Sequence, residues 1–134
     1  MNTLSDWEAR WAINGIGEKL FKNTRRKIHR PIFPRDRCDV CVVQMDVLRG
    51  AGFFQSVFLV WKNSKKDVCY FQINDINEKI FEDIADDFVN ISDVVVNRSG
   101  TISIKVSSAG TWSGRGNWSN TIEVPMTWVG MLEC

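Results

Sequence analysis

The sequence predicts an α+β fold in which helices pack on one face of a mainly antiparallel sheet. Three observations lead there. Three strand-like segments joined by short connections lie between Val40 and Ile73, an apolar stripe at helical spacing runs from Ile76 to Phe88, and alternating strands close the chain. The predicted order is helix (kinked)-β-β-β-helix-β-β-β.

The first helix opens at Leu4-Ser5-Asp6-Trp7-Glu8. Ser5 can cap a free backbone N–H, while Glu8, three residues on, reaches back to the Ser5 amide. At about 100° per residue, Leu4, Trp7 and Trp11 fall on one side, whereas Ile13, Ile16 and Leu20 fall on nearly the opposite side. That change of side at Asn14-Gly15 predicts a break or kink, because Gly15 and Gly17 each cost a helix interior about 1 kcal/mol relative to Ala. The second piece is expected from Gly17 towards Arg26, so residues 1–30 form an N-terminal helical region. Pro31 and Pro34 stop any further helix, which makes residues 31–37 a basic connector.

Strands are predicted near Val40 to Leu48, Phe53 to Lys62 and Val68 to Ile73, divided by Arg49-Gly50-Ala51-Gly52 and Asn63-Ser64-Lys65-Lys66. Connections that short favour an antiparallel meander. Asp75-Ile76-Asn77-Glu78 repeats the capping logic, and Ile76, Ile80, Phe81, Ile84 and Phe88 recur at helical spacing, so one helix crosses the sheet. Val94 to Val96 and Thr101 to Ser107 flank the turn Asn97-Arg98-Ser99-Gly100. A last strand runs from Thr121 to Val129, and its Pro125 marks an edge strand or bulge. Residues 38–134 thus form a sheet with one crossing helix, and all 134 residues read as a single compact domain around one core.

Seventeen Lys and Arg balance 16 Asp and Glu, so no global field draws the molecule to nucleic acid or an anionic membrane. No apolar run reaches the length of a bilayer span, and Asp6 and Glu8 stand where a secretory signal would be basic then apolar; the expected location is cytoplasmic. Three matches to the glycosylation pattern, at Asn90, Asn97 and Asn117, are therefore read as chance. Cys38-Asp39-Val40-Cys41 has a metal-like spacing, but no second short-spaced pair of ligands accompanies it, and residues three apart on a strand point to opposite faces. Cys38, Cys41, Cys69 and Cys134 are expected as buried, reduced thiols, with no metal and no cofactor. His29, the only histidine, sits among Lys27, Arg26 and Arg30, which suits a solvated side chain better than a general base. Gly114-Arg115-Gly116 lacks the rest of a phosphate loop.

Without a catalytic set the chain is expected not to be an enzyme. The charge is segregated: seven basic residues lie between Lys22 and Arg37, and six acidic ones between Asp75 and Asp87. Asp86 and Asp87 oppose the dipole at the end of their predicted helix, and Trp112-Ser113-Gly114-Arg115-Gly116-Asn117-Trp118 has the composition of a contact loop. These features predict a non-catalytic protein-binding domain, of inhibitor or immunity type, that covers a partner's active or nucleic-acid-binding surface. Glu82, Asp83, Asp86, Asp87, Trp112, Arg115 and Trp118 would contact a partner protein with a basic surface. The competing expectation is a nucleic-acid-binding module using Arg25, Arg26, Lys27, Arg30, Arg35 and Arg37.

Overall fold

The computed structural model describes residues 3–35, 37–49, 52–73, 89–110, 114 and 116–127. The first element, α1 (Asp6–Leu20), begins with the predicted capping box: Glu8 N–H donates to Ser5 Oγ at 3.3 Å and Ser5 N–H donates to Glu8 Oε1 at 3.1 Å. It then continues without a break for 15 residues, through Asn14 and Gly15. The expected kink is absent because the helix does not have to bury both stripes: Leu4, which is buried, precedes α1, and Leu20 at its end is half exposed. Ala9, Ile13, Ile16 and Gly17 face the sheet, and Trp7 and Trp11 turn to solvent.

Nor does helix extend to Arg26. The Phe21 N–H closes the last turn on Gly17 O at 2.9 Å, and Asn23, at φ 60°, turns the chain into β1 (Arg25–Ile28). In place of the helical region expected over 1–30, residues 3–30 thus form a helix followed by a strand. Four residues, three of them basic, carry no apolar alternation, so β1 owes its geometry to pairing with its neighbour.

That neighbour is β2 (Val40–Arg49), followed by β3 (Gly52–Lys62) and β4 (Val68–Gln72). With β1 they form the predicted meander, in spatial order β1-β2-β3-β4 and antiparallel throughout. A separate sheet contains β5 (Asn90–Val96), β6 (Thr101–Ser108) and β7 (Trp118–Pro125), also antiparallel and in chain order. The β5–β6 turn falls at Asn97 to Gly100, where Gly100 takes φ 88°, a conformation that favours glycine. Pro125 ends β7 on the outer side of this sheet, which is the edge position its missing donor requires. The second predicted helix, from Ile76 to Phe88, lies outside the described residues.

Two sheets therefore replace the single sheet of the prediction, and the four-stranded one is covered on both faces. Cys41, Val43, Met45 and Val47 of β2, with Phe58 and Val60 of β3, pack under Leu4, Ala9, Ile13 and Ile16. The alternate residues Val40, Val42, Val57, Leu59 and Trp61 pack against Val94, Ile102, Ile104, Val106, Ile122 and Val124 of the three-stranded sheet. The result is three layers, helix on sheet on sheet, with the core divided in two by β2 and β3. Each fully buried aliphatic side chain contributes roughly 1.5–3 kcal/mol, so neither half is dispensable.

Of the described cysteines, Cys41 is free and buried as expected, and Cys38 and Cys69 differ. Cys41 is buried against the helix layer, where loss of water raises its thiol to about 12. Cys38, just before β2, is exposed, and Cys69 is disulfide-bonded rather than reduced. Cys134 lies outside the described residues.

Candidate binding face on the first helix

Of the side chains predicted to meet a partner, Glu82, Asp83, Asp86, Asp87, Trp112 and Arg115 lie outside the described residues. Trp118 opens β7 opposite Ser108 and is half-buried against the inter-sheet core. It lines a shallow depression with Asn90, Ser107, Asn117 and Ser119.

The basic segment does not assemble into one surface. Along β1, Arg26 and Ile28 point to the helix layer, whereas Arg25 and Lys27 alternate to the other face and are exposed. Arg26 donates from Nη1 to Phe21 O at 2.9 Å, while its buried Nε has no hydrogen-bond partner among the described residues. Arg30 approaches Asp6 at 3.5 Å in a highly exposed pair. Arg37 holds Asp39 through two parallel bonds of 2.9 Å, which push the guanidinium up and keep the Asp39 carboxyl below its usual range. Arg35 is exposed.

His29 is not the solvated residue expected. Its Nε2 lies 2.7 Å from Asp46 Oδ2, and Gln44 and Gln55 both donate to Asp46 Oδ1, at 3.1 and 2.9 Å. The same two amides reach Val89 O at 2.8 and 3.0 Å, and Val89 N–H donates to Gln55 Oε1 at 2.9 Å. The network ties the start of the three-stranded sheet to the face of β2 and β3. Among the described residues, the only side chain that bonds the imidazole is Asp46. This is a clamp between layers, and its geometry contains no activated nucleophile.

The exposed face of α1 was missed. Trp7 is 69 % exposed and Trp11 75 %, although a tryptophan is ordinarily among the more buried side chains. Their i, i+4 spacing places the two indoles on one side, a single turn apart. With Arg10, Asn14, Arg26 and Ile28 they line a shallow, open groove of about 420 Å³ between α1 and β1. The signal was present in the helical wheel. Two opposed apolar stripes on one helix describe either a kink or a straight helix with one stripe left in water, and the glycines had favoured the kink.

Glu8 anchors the helix at the N-terminal border of this face. Its carboxylate sits 2.8 Å from Lys62 Nζ on β3, and this contact, with the Ser5 bonds, lowers it from 4.5 to about 2. Lys62 also donates to Thr3 O at 3.0 Å, so α1 is fixed in orientation over the sheet.

No family model, curated protein or solved structure matches the chain. Among the described residues, no helix is long and apolar enough to cross a membrane, and no three His, Cys, Asp or Glu side chains converge as metal ligands would.

Proposed function

We propose that this chain is a non-catalytic protein-binding domain, of inhibitor or immunity type, and that the Trp7–Trp11 face of α1 belongs to its docking surface. The observation that carries the reading is the pair of exposed indoles. Single apolar side chains in solvent are ordinary, but two adjacent tryptophans on a rigid, doubly anchored helix form a patch, and tryptophan and arginine dominate the energy of protein interfaces. Ser5, Glu8 and Lys62 hold the helix in place before any partner arrives, so little ordering entropy opposes docking.

Nucleic-acid binding is the competing class, and a salt titration separates the two. Complexes captured by the full chain from its native host are washed at rising ionic strength with and without nuclease. A protein-binding domain retains one stoichiometric protein after nuclease treatment. A nucleic-acid module retains material that nuclease removes and that falls away steeply with salt. The second outcome would contradict the proposal.

A further inference from the structure

Among the described residues, the groove between α1 and β1 is lined by two basic side chains and no acidic one. Asp6, Glu8, Asp39 and Asp46 each face a basic group: Arg30, Lys62, Arg37 and His29 respectively. Arg10 and Arg26, which line the groove beside the two indoles, pair with no carboxylate among the described residues. Arg26 is held in place by Phe21 O and Thr24, and Arg10 projects from the exposed side of the helix at i+3 from Trp7. The Arg26 guanidinium is therefore held beside the two indoles, with Arg10 exposed next to them and Ile28 adding apolar surface.

Resting on the protein-binding reading, we propose that this groove takes a short acidic segment of the partner. A carboxylate would be held by Arg10 and Arg26 while neighbouring apolar side chains lie on Trp7, Trp11 and Ile28. Guanidinium and carboxylate match in planar, two-point geometry, and partial desolvation beside the indoles strengthens the pairing. A nucleic-acid strand fits less well. Its backbone needs a track of cations, yet Arg25 and Lys27 lie on the other face of the sheet, and Asp6 and Glu8 border the Trp7 end. A second copy of the chain fits poorly too, because a twofold contact would set Arg10 and Arg26 against their own equivalents.

The test uses the full chain as bait for a random peptide library, followed by titration of the selected peptides into ¹⁵N-labelled protein. The indole N–H signals of Trp7 and Trp11, assigned with Trp7→Phe and Trp11→Phe, report where each peptide sits. Acidic peptides should be enriched, should shift both signals, and should bind at least about tenfold more weakly to Arg10→Glu. Arg10 is exposed, so this variant keeps the fold, and Arg26→Gln supplies a second removal of charge at the groove. Peptides that shift both indoles without an acidic bias, and that bind Arg10→Glu unchanged, overturn the inference while leaving the protein-binding reading in place. If no selected peptide moves either indole and an oligo-dT strand does, both fail.

Discussion

Two glycines, two residues apart and so on nearly opposite sides of the same helix, should respond differently to alanine. Gly15 and Gly17 carry the same intrinsic penalty, and replacing either by Ala brings the helix about 1 kcal/mol. That common term cancels in the comparison, so the difference between the variants reports packing alone. At Gly15 an added Cβ would meet nothing within 4 Å, so Gly15→Ala should stabilise by nearly the full amount, raising Tm by roughly 3–5 °C. At Gly17 the added Cβ would lie 2.8 Å from Arg26 Cδ and 2.9 Å from Met45 Sδ. Ordinary carbon contacts begin near ~3.5 Å, so something must shift. Met45 is fully buried, so its Sδ can move only by displacing other core side chains, and overpacking of such a site costs about 1–3 kcal/mol. Gly17→Ala should therefore come out neutral to destabilised, about 1–3 kcal/mol below Gly15→Ala. Equilibrium urea unfolding with a shared m-value measures the gap. Equal stabilisation of both variants would refute the close approach of α1 to β1 and β2, and loss of stability in Gly15→Ala would restore the kink.

Other parts of the structure make equally definite demands. Because the Glu8 carboxyl is lowered from 4.5 to about 2 in the folded chain, its contribution is complete above about pH 4.5 and is lost as pH falls towards 2. In Lys62→Met the Glu8 titration followed by carboxyl NMR should move back towards 4.5; an unchanged midpoint would mean that Lys62 does not hold it. Gln55→Leu should cost about 1–3 kcal/mol by leaving the Val89 N–H without an acceptor, and a wild-type urea midpoint would show that the inter-layer clamp is not formed. A thiol-alkylating reagent applied to the native protein should modify Cys38 quickly and Cys41 slowly. Cys69 should react only after reduction, and peptide mapping that finds all three equally reactive would contradict the burial and the disulfide.

Strand positions in the meander were legible because turn chemistry and β-branched residues both marked them. The layering was not read, although its sign was there. Val40 to Val43 and Val57 to Trp61 are unbroken apolar runs, which is how a strand reads when both of its faces are covered, whereas Ile102, Ile104 and Val106 alternate with Ser103, Lys105 and Ser107 as a one-sided strand does. Counting those two patterns separately would have called for a second layer on the β2–β3 sheet. β1 could not have been found this way, since Arg25-Arg26-Lys27-Ile28 gains its conformation from hydrogen bonds to residues 45–48, some 20 positions away. The same limit hid the site. That Trp7 and Trp11 face water follows only once Ile13, Ile16 and Gly17 are seen to occupy the one face that can approach the sheet, and that choice is made by Met45 and Val43 below them. His29 likewise shows nothing of its role in sequence, because strand pairing brings Asp46 to it and brings Gln44 and Gln55 to Asp46.

If the outward face of α1 binds a protein partner, the double variant Trp7→Ala/Trp11→Ala should lose that binding without losing the fold. Both indoles are largely in solvent, so the variant should unfold at the same urea concentration as the wild type. Affinity for the partner captured by the wild-type chain, measured by calorimetry at fixed salt, should fall by about 2 kcal/mol or more, roughly thirtyfold, as expected when interface anchors are removed. A folded double variant that binds that partner with wild-type affinity would contradict the account.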